Sequence, residues 1–146
     1  MEILAGSSSG ADIAAALKSE ETALGFGQIS SMAMAWFEPA NNAVIINSYY
    51  LRKSPKMTAI LLAHEGTHLQ WKCDLTMGTP IPGGGERSPN SIDQEYHAFL
   101  NQTLVWEEIE VVGEDESIDS WAALISSGEE RAKAFIRAVY WGLPEY

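Results

Sequence analysis

The chain has 146 residues, 46% of them apolar and 20% charged, with a formal net charge of −11. That length is one domain's worth and buries a core without staples. The acidic balance argues against nucleic acid and anionic membranes as partners, because both need clustered Lys and Arg, and the single cysteine, Cys73, excludes an intrachain disulfide.

The first ten residues, MEILAGSSSG, lack the basic n-region and long apolar stretch of a signal peptide. No apolar run approaches the roughly 18 residues that span a bilayer. The expectation is a cytoplasmic, single-domain protein over residues 1–146. Ser9 or Asp12 is positioned to cap a short helix that runs to about Lys18. TALGFGQI (22–29) is strand-like but loosened by Gly25 and Gly27. MAMAWFE (32–38) and AVIINSYY (43–50) are β-compatible and flank the turn residues PANN, which predicts a hairpin.

After Ser54-Pro55 the pattern becomes helical, with Ser54 as cap and Pro55 in the first turn. Residues 56–71 form a helix whose approach, AILLA, is apolar all round, as in a helix buried on most sides. MGTPIPGGGERSPN (77–90) reads as a long loop, and its GGGERSP segment as a connector or a flap. Ser91 and Gln94 have capping-box spacing and open a helix from Ile92 to about Val111. The acidic GEDES (113–117) breaks it. A last helix covers about 129–141, with Ala132, Phe135, Ile136, Val139 and Tyr140 at helical spacing. Its simplest role is to cover the sheet or the helix at 56–71, and Cys73 reads as a small buried apolar residue. Sheet first and helices after is an α+β order.

The chemistry concentrates in LLAHEGTHLQW (61–71). Residues four apart on a helix lie about 40° apart in projection, one turn up. His64 and His68 therefore point the same way and can share one tetrahedral zinc ion. Glu65, about 100° round from His64, is placed to hold the attacking water as a general base. Two imidazoles and a carboxylate beside AILLA are costly to bury without partners, and a metal supplies the partner. Three carboxylates compete for a third ligand position. Asp74 lies six residues after His68, but a metzincin-type turn needs glycine where Trp71 stands. Asp93 reads as an acidic residue favoured by the helix dipole. Glu95 is followed one turn later by the small Ala98, which lets two helices pack closely and brings Glu95 against the histidines.

His-Glu-Gly-Thr-His on an apolar helix, followed by Glu95-x-x-Ala98 on a second helix, resembles the gluzincin branch of the zincin metallopeptidases. The similarity covers about residues 43–100 and rests on seven or eight positions. It implies Zn2+ held by His64, His68 and Glu95, with Glu65 as catalytic base. It also implies a small β-sheet beneath the active-site helix, its edge strand lining a cleft for a peptide or protein substrate. The chain resembles the small single-domain minigluzincin type, and retention of the metal site as a peptide-binding scaffold with little catalysis is the alternative. Two departures stand out: Phe99 occupies the position where the family usually has Asp or Asn, and Gly66 interrupts the metal helix at about 1 kcal/mol against Ala. An oxyanion donor is not singled out among Tyr49, Tyr50, Tyr96, His97 and Tyr140.

Overall fold

In a computed structural model, which describes residues 1–29, 33–73 and 90–146, the strand-like runs and the apolar helix pack as one α+β unit. The described elements are α1 (Glu2–Gly6), α2 (Ala11–Ser19), β1 (Ala23–Gly27), β2 (Ala35–Glu38), β3 (Ala43–Asn47), α3 (Pro55–Cys73), α4 (Ile92–Glu108), α5 (Glu116–Ser126) and α6 (Glu129–Val139). Two helices precede the sheet, so the order is not simply strands followed by helices.

The sheet has the order β1-β3-β2. β2 and β3 form the antiparallel hairpin, with Phe37 opposite Val44 and Trp36 opposite Ile45. Asn42 closes the turn in the left-handed region at φ 46°, which asparagine tolerates. Its side-chain amide donates to the Glu20 carbonyl at 2.6 Å and ties the turn to the end of α2. β1 runs parallel to β3. β3 is shorter than the apolar run suggested. The Asn47 side chain accepts from the Tyr49 backbone N–H at 3.1 Å and starts a 3-10 turn, Ser48–Arg52, where strand propensity alone predicted extension to Tyr50.

α3 is the axis of the molecule. Ser54 Oγ accepts from the Lys56 backbone N–H, as a helix cap should. The helix packs on β2 and β3, on α1 and α2, and on α4. Contact on so many sides explains why it buries Met57, the run Ala59–Thr67, Leu69 and Trp71. One apolar cluster joins α1, α2, the sheet and α3 through Leu4, Ile13, Leu17, Val44, Ile46 and Ile60. A second joins α4, α5 and α6 through Ile92, Phe99, Ile125 and Ile136. Gly66 lies where α2 crosses α3. A Cβ there would sit 2.3 Å from Ile13 Cγ2, so close packing explains the glycine inside the helix.

α4 is capped by Ser91, whose Oγ accepts from the Gln94 backbone N–H at 3.1 Å. It ends at Glu108, earlier than the expected Val111, where Glu110 turns left-handed at φ 54°. The acidic stretch that follows is not only a breaker. Asp115 accepts from the backbone N–H groups of Ser117 and Ile118 and caps α5, a helix that the sequence reading omits. α6 packs on α4 and α5, not on the sheet or α3, because its apolar stripe meets Ile92, Tyr96 and Phe99. Trp141, just beyond it, is exposed. Cys73 is exposed too, at the last turn of α3, a correction to its reading as buried. Asp74 and the 83–89 segment lie outside the described residues. No helix among the described residues is long and apolar enough to cross a membrane.

Candidate metal centre

α3 and α4 run antiparallel. Glu95, near the start of α4, meets His68 and His64. Asn101 reaches Thr67 Oγ1 at 3.0 Å, and Lys56 Nζ donates to the Ile109 carbonyl at 2.7 Å. Ala98, one turn after Glu95 on α4, is fully buried. The Thr67 hydroxyl donates to the Ala63 carbonyl while accepting from Asn101, so the turn between the two histidines is fixed to α4.

At this contact the Nε2 atoms of His64 and His68 face each other at 3.3 Å. Each is 3.7 Å from a different oxygen of Glu95. These three side chains are the one group of three or more His, Cys, Asp or Glu among the described residues whose ligand atoms lie close enough to share an ion. Two nitrogens bound to one tetrahedral zinc at 2.0–2.1 Å lie about 3.3 Å apart, so the histidine spacing fits the ion. Glu95 Oε2 is buried without a hydrogen-bond partner, an atom that a cation would satisfy.

The electrostatics favour the same assignment. Burial first, then the neighbouring His68, holds His64 well below the usual histidine range. Burial lowers His68 to about 4. Both rings are therefore neutral near pH 7, the form that binds metal. Burial pushes Glu95 up to about 7. Glu65 is pushed up to about 8, by burial first and by the Glu95 carboxylate second, with the Phe37 backbone opposing. A cation beside these carboxyls would reverse the penalty on their charged forms.

Glu65 points toward the sheet side of α3, where the Phe37 backbone of edge strand β2 faces it. Both border a cleft of about 1540 Å³ that also contains His64, His68 and Glu95. Ala35, Trp36 and Phe37 form one wall, and Trp121, Phe135 and Val139 of α5 and α6 form another. From the floor outward the rings continue in series: His64 against Phe99 at 4.4 Å, Phe99 stacked on Trp121 at 3.6 Å, Trp121 edge-on to Phe135 at 5.6 Å.

The other sequence candidates separate clearly. Asp93 is fully buried and lies away from the histidine pair, bonded to Lys133 Nζ at 2.8 Å. It stands in the first turn of α4, as the sequence predicts, and in addition forms a buried ion pair linking α4 to α6. His97 faces Asp93 and Trp71. Tyr96 packs in the α4–α6 cluster, and Tyr49 and Tyr50 border a separate, smaller hollow with Lys53 and Asp115. Of the five oxyanion candidates, Tyr140 lines the cleft. Burial, followed by Glu95 and Glu65, pushes its hydroxyl pKa up, so it remains a proton donor.

The sequence reading missed two residues. Gln94 and Gln102 of α4 are buried and line the same cleft. Gln94 favours the protonated form of His68 and Gln102 that of His64. The signal available in sequence was Phe99: a hydrophobe in the usual place of a polar partner asks for that partner one turn away. Compared with known proteins, the chain matches no family model, no curated protein and no solved structure.

Proposed function

We propose that this chain is a zinc-dependent, peptidase-like hydrolase with a zincin-like arrangement of gluzincin type. His64, His68 and Glu95 would hold Zn2+. The observation that carries the reading is the convergence of Glu95, from a separate helix, on two Nε2 atoms already spaced for one tetrahedral ion. When bound, the cation supplies positive charge that polarises a carbonyl and acidifies a water.

The chain's own residues do the rest. Glu65, one residue after the first ligand and on the cleft floor, takes the proton of the attacking water and delivers it to the leaving amine. The same burial that raises its pKa brings it nearer the range where a carboxyl both accepts and returns a proton. Tyr140 donates its hydroxyl to the carbonyl oxygen as negative charge develops there. β2 is a sheet edge, and an extended peptide laid along it gains backbone hydrogen bonds while its side chains meet the apolar walls.

The test uses protein purified without chelator, with metal content and peptide cleavage measured together. One equivalent of zinc is expected, lost in Glu95→Ala. Glu65→Gln should retain zinc and lose cleavage by at least about 100-fold. Absence of zinc from the purified and zinc-supplemented chain would refute the proposal. Zinc without cleavage of any member of a broad peptide library would favour a peptide-binding scaffold.

A further inference from the structure

A metal-binding imidazole has two nitrogens, and the hydrogen bond made by the outer one decides which tautomer exists. In His64 the inner atom is Nε2, the one that faces His68 and Glu95. With Nε2 as the metal ligand, Nδ1 carries the hydrogen. That atom is buried and has no hydrogen-bond partner of good geometry among the described residues. Gln102 shows the complementary gap. It is 1% exposed, and both atoms of its carboxamide are buried without a partner. It stands seven residues after Glu95, two turns further along nearly the same face of α4.

We propose that Gln102 is the positioning residue of His64. Its side-chain carbonyl accepts the Nδ1 hydrogen and locks the ring in the tautomer that turns Nε2 toward His68 and Glu95. The pairing satisfies two buried groups with one bond, where leaving both unpaired forfeits the hydrogen bonds that water gives them in the unfolded chain. It also accounts for Phe99. That ring packs against His64 at 4.4 Å, so the position one turn after Glu95 presses on the imidazole and the acceptor comes from the turn beyond. Asn101, the nearest alternative amide on α4, is committed to Thr67. Gln102 is within side-chain reach of His64 and lines the same cleft. Which end of a carboxamide is oxygen is decided by such a network, and here an imidazole N–H asks for the oxygen.

The direction of the tautomer rests on the proposed zinc site, but its observation does not. The full chain is labelled with 15N, treated with chelator, and the ring nitrogens of His64 are observed by long-range 1H–15N correlation. Wild type should show Nδ1 protonated and Nε2 bare. Gln102→Met, of similar length without an acceptor, should mix the tautomers and weaken zinc binding by roughly 10- to 100-fold. Gln102→Leu carries the same expectation should the Met variant not fold. Gln102→Glu keeps an acceptor and should restore both the single tautomer and the affinity. An unchanged His64 spectrum and zinc affinity in Gln102→Met would overturn the proposal, as would a Glu variant no better than Met. A Gln102-dependent tautomer in a chain that binds no zinc would uphold the positioning role and refute the metal centre.

Discussion

Gly66→Ala separates local propensity from packing at the turn that carries both histidines. Helix propensity alone says that alanine stabilises α3 by about 1 kcal/mol. The crossing of α2 says the opposite. The new methyl would lie 2.3 Å from Ile13 Cγ2 and 3.2 Å from Leu17 Cδ1. Ile13 Cγ2 is attached directly to Cβ in a residue 1% exposed, so it cannot swing aside, and α2 must shift. Overpacking of this kind costs about 1–3 kcal/mol. The net expectation is a loss of about 0–2 kcal/mol after the propensity gain is subtracted. In an Ile13→Ala background the obstructing methyl is gone, and the same Gly66→Ala change should be neutral or stabilising by up to about 1 kcal/mol. Urea unfolding of the four proteins of this cycle gives the coupling, expected near 2 kcal/mol. Strict additivity, or a Gly66→Ala protein more stable than wild type, would refute the packing account of this glycine.

The pH dependence of the metal-free chain has a sign fixed by burial. Glu65 at about 8 and Glu95 at about 7 keep protons that the unfolded chain has released above 4.5, so stability in chelator should fall between pH 6.5 and 8.5, by about 2–3 kcal/mol if the two act independently. Below pH 6.5 the depressed histidines work the other way, offsetting the carboxyls; urea midpoints at three pH values with and without zinc check this, and a rise from 6.5 to 8.5 in chelator would contradict it. Lys133→Met leaves the buried Asp93 carboxylate without its 2.8 Å partner and should cost about 3–5 kcal/mol, with the Asp93→Asn, Lys133→Met double variant recovering part of the loss in the same unfolding assay. Asp115→Ala removes the α5 cap and the 3.8 Å contact with Lys53, and should lower stability by about 1 kcal/mol without changing zinc affinity.

What could be read from sequence was what the chain specifies locally. His64 and His68 share a face because the helix repeat puts them there, and Ser54 and Ser91 cap helices because their hydroxyls serve N–H groups two or three residues away. α5 is legible by the same logic. Ile118, Trp121, Ala122 and Ile125 have helical spacing and Asp115 caps them, but the acidic run in front masks the signal because it also reads as a helix break. The errors of the other kind are long-range. Nothing near Asp93 in sequence announces Lys133, forty residues away. Nothing near Cys73 says that α3 emerges into solvent there, and nothing near the terminal helix says that α4 and α5, not the sheet, receive it.

The candidate centre is a costly way to join two helices, and that cost is itself an argument. His64, Gln94 and Gln102 are buried where α3 meets α4, at an interface that apolar side chains would close more tightly. Two apolar cores flank the seam, and the first already crosses from α3 to α4 through Val105. Neither core needs the polar seam. Two carboxyls raised and two imidazoles depressed by the same burial describe a site in which the metal-free chain suppresses its own charge. A divalent cation would offset the penalty on the ionised carboxyls and would use the lone pairs of rings that burial already keeps neutral. Binding in that setting is folding energy, at about 4 kcal/mol for ligand at a thousand times its dissociation constant. A purely structural seam would have no reason to combine acids and imidazoles at one point beside an aromatic-walled cleft, with His64 Nδ1 and Glu95 Oε2 buried without hydrogen-bond partners.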